Sequence, residues 1–79
     1  MFYVYTLRSI LSPDNYYVGM TIDLEKRLLE HNSGKSIHTN KFRPWEIVTY
    51  TAFKEKSKAE KFEIYLKSSS GRAFSKKRF

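Results

Sequence analysis

No cysteine occurs in the 79 residues, which excludes disulfide cross-links and thiolate zinc sites and fits a reducing compartment. Long hydrophobic runs are missing as well. The opening "MFYVYTLRSI" is too short and too polar at its edges for a signal peptide or a membrane span, so a soluble, cytoplasmic protein with no membrane partner is expected. Acidic residues are few: eight Asp and Glu stand against fifteen Lys and Arg, a formal charge of +7. Such an excess serves either solubility or a polyanionic partner. Its distribution favours the polyanion, because cations crowd "GKSIHTNKFRP" and "GRAFSKKRF" while most acids fall in two helical stretches. A chain of this size buries only about 60% of its unfolded surface, which predicts one compact domain over residues 1–79.

What is present reads as an α+β fold. "FYVYTLRS" at 2–9 alternates and is rich in aromatic and β-branched residues, the pattern of a strand. "SPDN" at 12–15 is turn chemistry, and "YYVGM" at 16–20 returns as the second strand of an antiparallel hairpin. Asp23 stands at the N-cap of a helix from Leu24 to about Asn32, and Gly34 stands where a left-handed residue would end it. A polar basic loop over 33–44 leads to a third strand, "WEIVTYTAF", at 45–53. Ser57 with Glu60 three residues on has the form of a capping box, predicting a second helix from Lys58 to about Ser68. The order is ββαβα, a three-stranded antiparallel sheet flanked by helices, and "RAFSKKRF" adds a short helical turn or a basic tail.

Both helices carry polar residues beside their apolar stripes. At about 100° per residue, His31 falls between Leu24 and Leu28, with Arg27 adjacent. On the second helix Glu63 projects from the side of Ala59, Phe62 and Leu66. Snorkelling explains an Arg at such a border, and an ion pair explains a carboxylate there. On the second strand Tyr17, Gly19 and Thr21 share a face, and Gly19 leaves a gap beside the Tyr17 ring. Tyr5 reaches that face if the hairpin register allows. Two phenols, a guanidinium, an imidazole and a carboxylate are what a phosphodiester-cleaving site needs.

These residues resemble the GIY-YIG nuclease superfamily. Its first signature triplet corresponds to Tyr3-Val4-Tyr5 and its second to Tyr17-Val18-Gly19, followed by Thr21, Arg27, His31, Asn32, Gly34 and then Glu63. The chain is most similar to the small single-domain branch and to the nuclease domain of the excision-repair incision enzyme. It departs in having Val at the two middle positions, a loss of one methylene, and Tyr3 where the signature has Gly. As a strand residue Tyr3 is expected to turn its ring to solvent.

The resemblance implies a metal-dependent endonuclease acting on DNA. Glu63 would be the one protein ligand of a single Mg²⁺ or Mn²⁺ ion, bound weakly without substrate. Tyr17 would take a proton from the attacking water with Tyr5 positioning water or phosphate, or the reverse. Arg27 would donate to the non-bridging oxygens, and His31 would serve as an alternative base or phosphate contact. Lys35, Lys41, Arg43, Arg72, Lys76, Lys77 and Arg78 are candidates to follow the nucleic-acid backbone. The competing readings are a non-cleaving nucleic-acid-binding module of the same fold and a domain whose charge serves solubility.

Overall fold

The computed structural model of the protein describes residues 1–37 and 39–68. The predicted C-terminal turn or tail, with Arg72, Lys76, Lys77 and Arg78, lies outside them. Strands β1 (Phe2–Ser9), β2 (Tyr16–Thr21) and β3 (Trp45–Phe53) alternate with helices α1 (Leu24–Asn32) and α2 (Lys56–Lys67) in the order ββαβα. The sheet is antiparallel with β1 in the centre, in the order β2-β1-β3. Register places Tyr5 opposite Gly19 on one side and opposite Tyr50 on the other. A bulge between Thr6 and Leu7 shifts the β3 pairing from Thr49 to Ile47, which re-aims the residues that follow.

Strand alternation sends successive side chains to opposite faces, and each helix covers one face. Val4 packs with Ala59 and Leu66 of α2, joined by Phe2, Val18, Met20, Phe53 and Phe62. Tyr5 and Leu7 pack with Trp45 on the other face, where Leu24 and Leu28 of α1 and Tyr17 complete the cluster. A sheet covered on both faces divides a small core into two thin layers. One of those layers is aromatic and polar: Tyr17 stands 6.5 Å from Trp45 between ring centroids, and the buried His31 lies within it.

Local chemistry fixes the first helix where its sequence indicates. The Asp23 side chain accepts from the Lys26 N–H at 3.1 Å, and Gly34 at φ +85° turns the chain away after the last turn, a conformation that costs glycine little. The second helix begins earlier than Ser57 implies. Glu55 is its N-cap, with extended backbone and no side-chain capping bond, and its carbonyl accepts from Ala59 N at 3.2 Å. Ser57 therefore sits inside the first turn, and the capping box does not form. Starting at Lys56 gives Ala59 a complete turn before it on which to reach full burial against Val4. Packing of the apolar stripe outweighs the local capping signal.

Asn32, the last residue of α1, ties that helix to β3. Its amide donates to the Trp45 carbonyl at 3.1 Å and accepts from the Trp45 N–H at 2.6 Å, standing in for a neighbouring strand at the start of β3. Replacing Asn32 with Ala removes both bonds and strands two partly buried backbone groups. Denaturant unfolding should show a loss of about 1–3 kcal/mol, and an unchanged midpoint and slope would contradict this role.

Candidate active site

Gly19 decides where the Tyr5 ring goes. A Cβ built on Gly19 would lie 2.6 Å from Tyr5 Cζ, close to its hydroxyl, and 3.1 Å from Tyr17 Cε1. The gap expected beside Tyr17 is therefore filled by the end of the Tyr5 ring. From there the Tyr5 hydroxyl meets His31 Nε2 at 2.9 Å. The other ring nitrogen, Nδ1, lies 2.7 Å from Thr39 Oγ1. His31 and Thr39 are both fully buried, so neither His31 nitrogen is presented to solvent.

Tyr17 covers the imidazole, with ring centroids 5.0 Å apart, and stands 6.5 Å from the Tyr5 ring. It is only partly buried, whereas Tyr5 is 2% exposed. The Arg27 side chain is about one-third exposed, pairs loosely with Glu30 at 3.9 Å, and lies near enough to Tyr5 for each to favour the other's charged form. Burial pushes the Tyr5 phenol above its ordinary value, with Arg27 opposing and the charges of Tyr17 and Glu63 adding to the rise. Arg27 is itself raised, chiefly by its neighbour Tyr5. His31 is lowered, by burial first and then by Arg27, so a neutral imidazole is the stable form.

Tyr5, Tyr17, Arg27 and His31 thus gather on the face covered by α1. Glu63 belongs to α2 on the opposite face and enters the cluster through its charge on Tyr5. Its side chain is 23% exposed and pairs with Lys67 at 3.5 Å. Among the described residues no three His, Cys, Asp or Glu side chains come together as a metal cage. A single partly exposed carboxylate suits Mg²⁺, which keeps most of its waters and takes one or two carboxylates with a substrate phosphate.

Lys35, Lys41 and Arg43 are exposed on the loop between α1 and β3. Lys41 lies over the Phe42 ring, 5.4 Å from its centroid, and Ser9 Oγ anchors this loop by donating to the Phe42 carbonyl at 2.6 Å. Tyr3 does not turn freely outward. It is half-buried, meets Tyr50 edge-on at 6.0 Å, and lines a shallow groove of ≈ 290 Å³ with Ile22 and Leu24. Thr39 is the residue that sequence reasoning passed over, because a Thr in a polar loop carries no periodic signal. Its burial follows from the Trp45 indole, whose N–H donates to the Thr39 carbonyl at 2.8 Å.

Comparison with known proteins gives a consistent result. The family model described as the GIY-YIG catalytic domain matches residues 1–78. Over 76 residues the chain is 37% identical to a UPF0213 protein of Cupriavidus necator, covering 91% of this chain and 80% of that one. It is 40% identical over 67 residues to the structure-specific endonuclease subunit SLX1 of Debaryomyces hansenii, covering 76% of this chain. That match spans 19% of the length of the SLX1 protein. The solution NMR structure of a UPF0213 protein from Bacillus halodurans aligns with a TM-score of 0.56 at 32% identity, over 96% of this chain and 81% of that one.

The lowered His31 value has a consequence for stability. Above about pH 6.5 the imidazole is neutral in both folded and unfolded chains. Below it the unfolded chain takes up a proton that the folded chain resists, so stability is present above the unfolded value and falls as the pH drops through it. Thermal unfolding followed by circular dichroism should show Tm declining below about pH 6.5, with a shallower decline in His31→Gln. Equal slopes for the two proteins would contradict the buried neutral imidazole.

Proposed function

The chain belongs to the GIY-YIG family, and from that premise we propose that it is a divalent-metal-dependent endonuclease hydrolysing DNA phosphodiester bonds. The observation that carries this reading is the gathering of two phenols at Gly19 against His31, with Arg27 on the same helix acting on Tyr5 and the Glu63 charge felt there too. Similarity to proteins named structure-specific endonuclease subunits supports it.

In this reading the substrate phosphate lies against Arg27, whose planar fork donates to the non-bridging oxygens as charge builds on them. Tyr17 takes the proton of the attacking water. It is the more exposed phenol, and its charge and that of Arg27 act on one another. Taking that proton requires the phenolate form of the ring, as general-base action by any phenol does. Tyr5, being buried, orients Arg27 rather than touching the water. His31 holds Tyr5. Glu63 would hold one Mg²⁺ or Mn²⁺, which when bound supplies charge neutralisation at the phosphate and leaving oxygen. Lys35, Lys41 and Arg43, with Arg72, Lys76, Lys77 and Arg78 of the C-terminal segment, follow the DNA backbone without reading its sequence.

Incubation of the purified protein with labelled single-stranded, duplex and branched DNAs, with and without Mg²⁺ or Mn²⁺, tests the activity. Glu63→Gln and Arg27→Ala should each slow cleavage by on the order of a hundredfold or more while leaving most DNA binding intact, and Tyr17→Phe should do the same. Equal cutting by wild type and Glu63→Gln would overturn the proposal. Salt-sensitive binding without metal-dependent cutting in any of them would point instead to a non-cleaving module.

A further inference from the structure

We propose that Thr39 is a positioning residue of this site: its hydroxyl accepts from His31 Nδ1–H, fixing the tautomer that leaves Nε2 free to receive the Tyr5 hydroxyl proton. A neutral imidazole has one N–H and here has two polar neighbours, Tyr5 Oη at 2.9 Å and Thr39 Oγ1 at 2.7 Å. Which neighbour receives that hydrogen is set by which hydroxyl is the stronger donor. A phenol ionises near about pH 10 and is a far better hydrogen-bond donor than an aliphatic hydroxyl. The Tyr5 hydroxyl therefore donates to Nε2, and the one imidazole N–H, on Nδ1, is left to Thr39 Oγ1. The opposite tautomer would have the weakly acidic Thr39 hydroxyl donate to the ring while the phenol only accepted.

Thr39 is placed for this by bonds that do not involve its hydroxyl. Its carbonyl accepts from the Trp45 indole, and its N–H donates to the Ser36 carbonyl at 3.3 Å. Trp45 is held in turn by Asn32 of α1, the helix that carries His31. The charged and titratable groups facing His31 are Tyr5 from β1, Tyr17 from β2, and Arg27 and Glu30 from its own helix. With its proton directed inward to His31, Tyr5 stays a neutral phenol. That leaves Tyr17 as the phenol able to take the proton of water. The effect on cleavage rests on the proposed nuclease function; the tautomer does not.

Long-range ¹H–¹⁵N correlation on the full chain labelled at histidine reads the tautomer directly, without substrate or metal. Near neutral pH, His31 should show a protonated Nδ1 and an unprotonated Nε2. The reverse would overturn the proposal. Thr39→Val should shift His31 toward the Nε2–H form and Thr39→Ser should restore the wild-type pattern; identical His31 spectra in wild type and Thr39→Val would also overturn it. Should Thr39→Val fail to fold, the wild-type and Thr39→Ser spectra still decide. In Mg²⁺-dependent cleavage Thr39→Val should lower kcat by roughly 10–100-fold, the equivalent of one lost buried hydrogen bond, with KM little changed and Thr39→Ser near wild type. Unaltered kcat would overturn the positioning role. A wild type that cuts nothing would remove the nuclease reading while the spectrum continued to report on Thr39.

Discussion

The hydrogen bond between Tyr5 Oη and His31 Nε2 is buried and joins the central strand to the first helix across 26 positions of sequence. Much of the site depends on it. Breaking the bond would leave a phenol or an imidazole unpaired in a dry layer, at a cost of about 1–3 kcal/mol. With the bond made, the Tyr5 ring must cross the edge strand, and only a residue without a side chain leaves room for it at position 19. The phenol oxygen then meets His31, and Arg27, about one-third exposed, lies near enough for its charge to act on the phenol. One interaction thus links a strand, a helix, a glycine and the cation that would meet a phosphate.

The two faces of the sheet divide the labour. The α1 face carries the polar and aromatic network, and its hydrogen bonds extend through Thr39, Trp45 and Asn32 to the loop with the exposed cations. The α2 face is an ordinary apolar layer of Val4, Ala59, Leu66 and Phe62, from whose margin Glu63 projects. Charge on Glu63 still reaches Tyr5, so the two helices contribute to one electrostatic environment.

The fold was largely legible because its signals are local: alternating aromatic and β-branched strands, Asp23 at a helix start, Gly34 at a helix end. Where a local signal competed with burial, burial prevailed, and α2 starts at Lys56 to seat Ala59 rather than at Lys58 to satisfy Ser57. The inward tilt of Arg27 and His31 could be read from helical spacing. What filled the gap at Gly19 could not, because it depends on hairpin register and on the rotamer of Tyr5, both tertiary properties. Thr39 was invisible for a similar reason. Its burial is produced by an indole six residues away, and nothing in the loop composition distinguishes it from its solvated neighbours.

In the proposed reaction Arg27 and Glu63, carried on different helices, act on the same phosphate. A double-mutant cycle on single-turnover DNA cleavage tests it, using Arg27→Ala, Glu63→Gln and the pair together. Groups that serve one transition state are strongly non-additive, so the double variant should be scarcely slower than the worse single one. Losses that simply multiply would show the two side chains working independently and would contradict a shared centre.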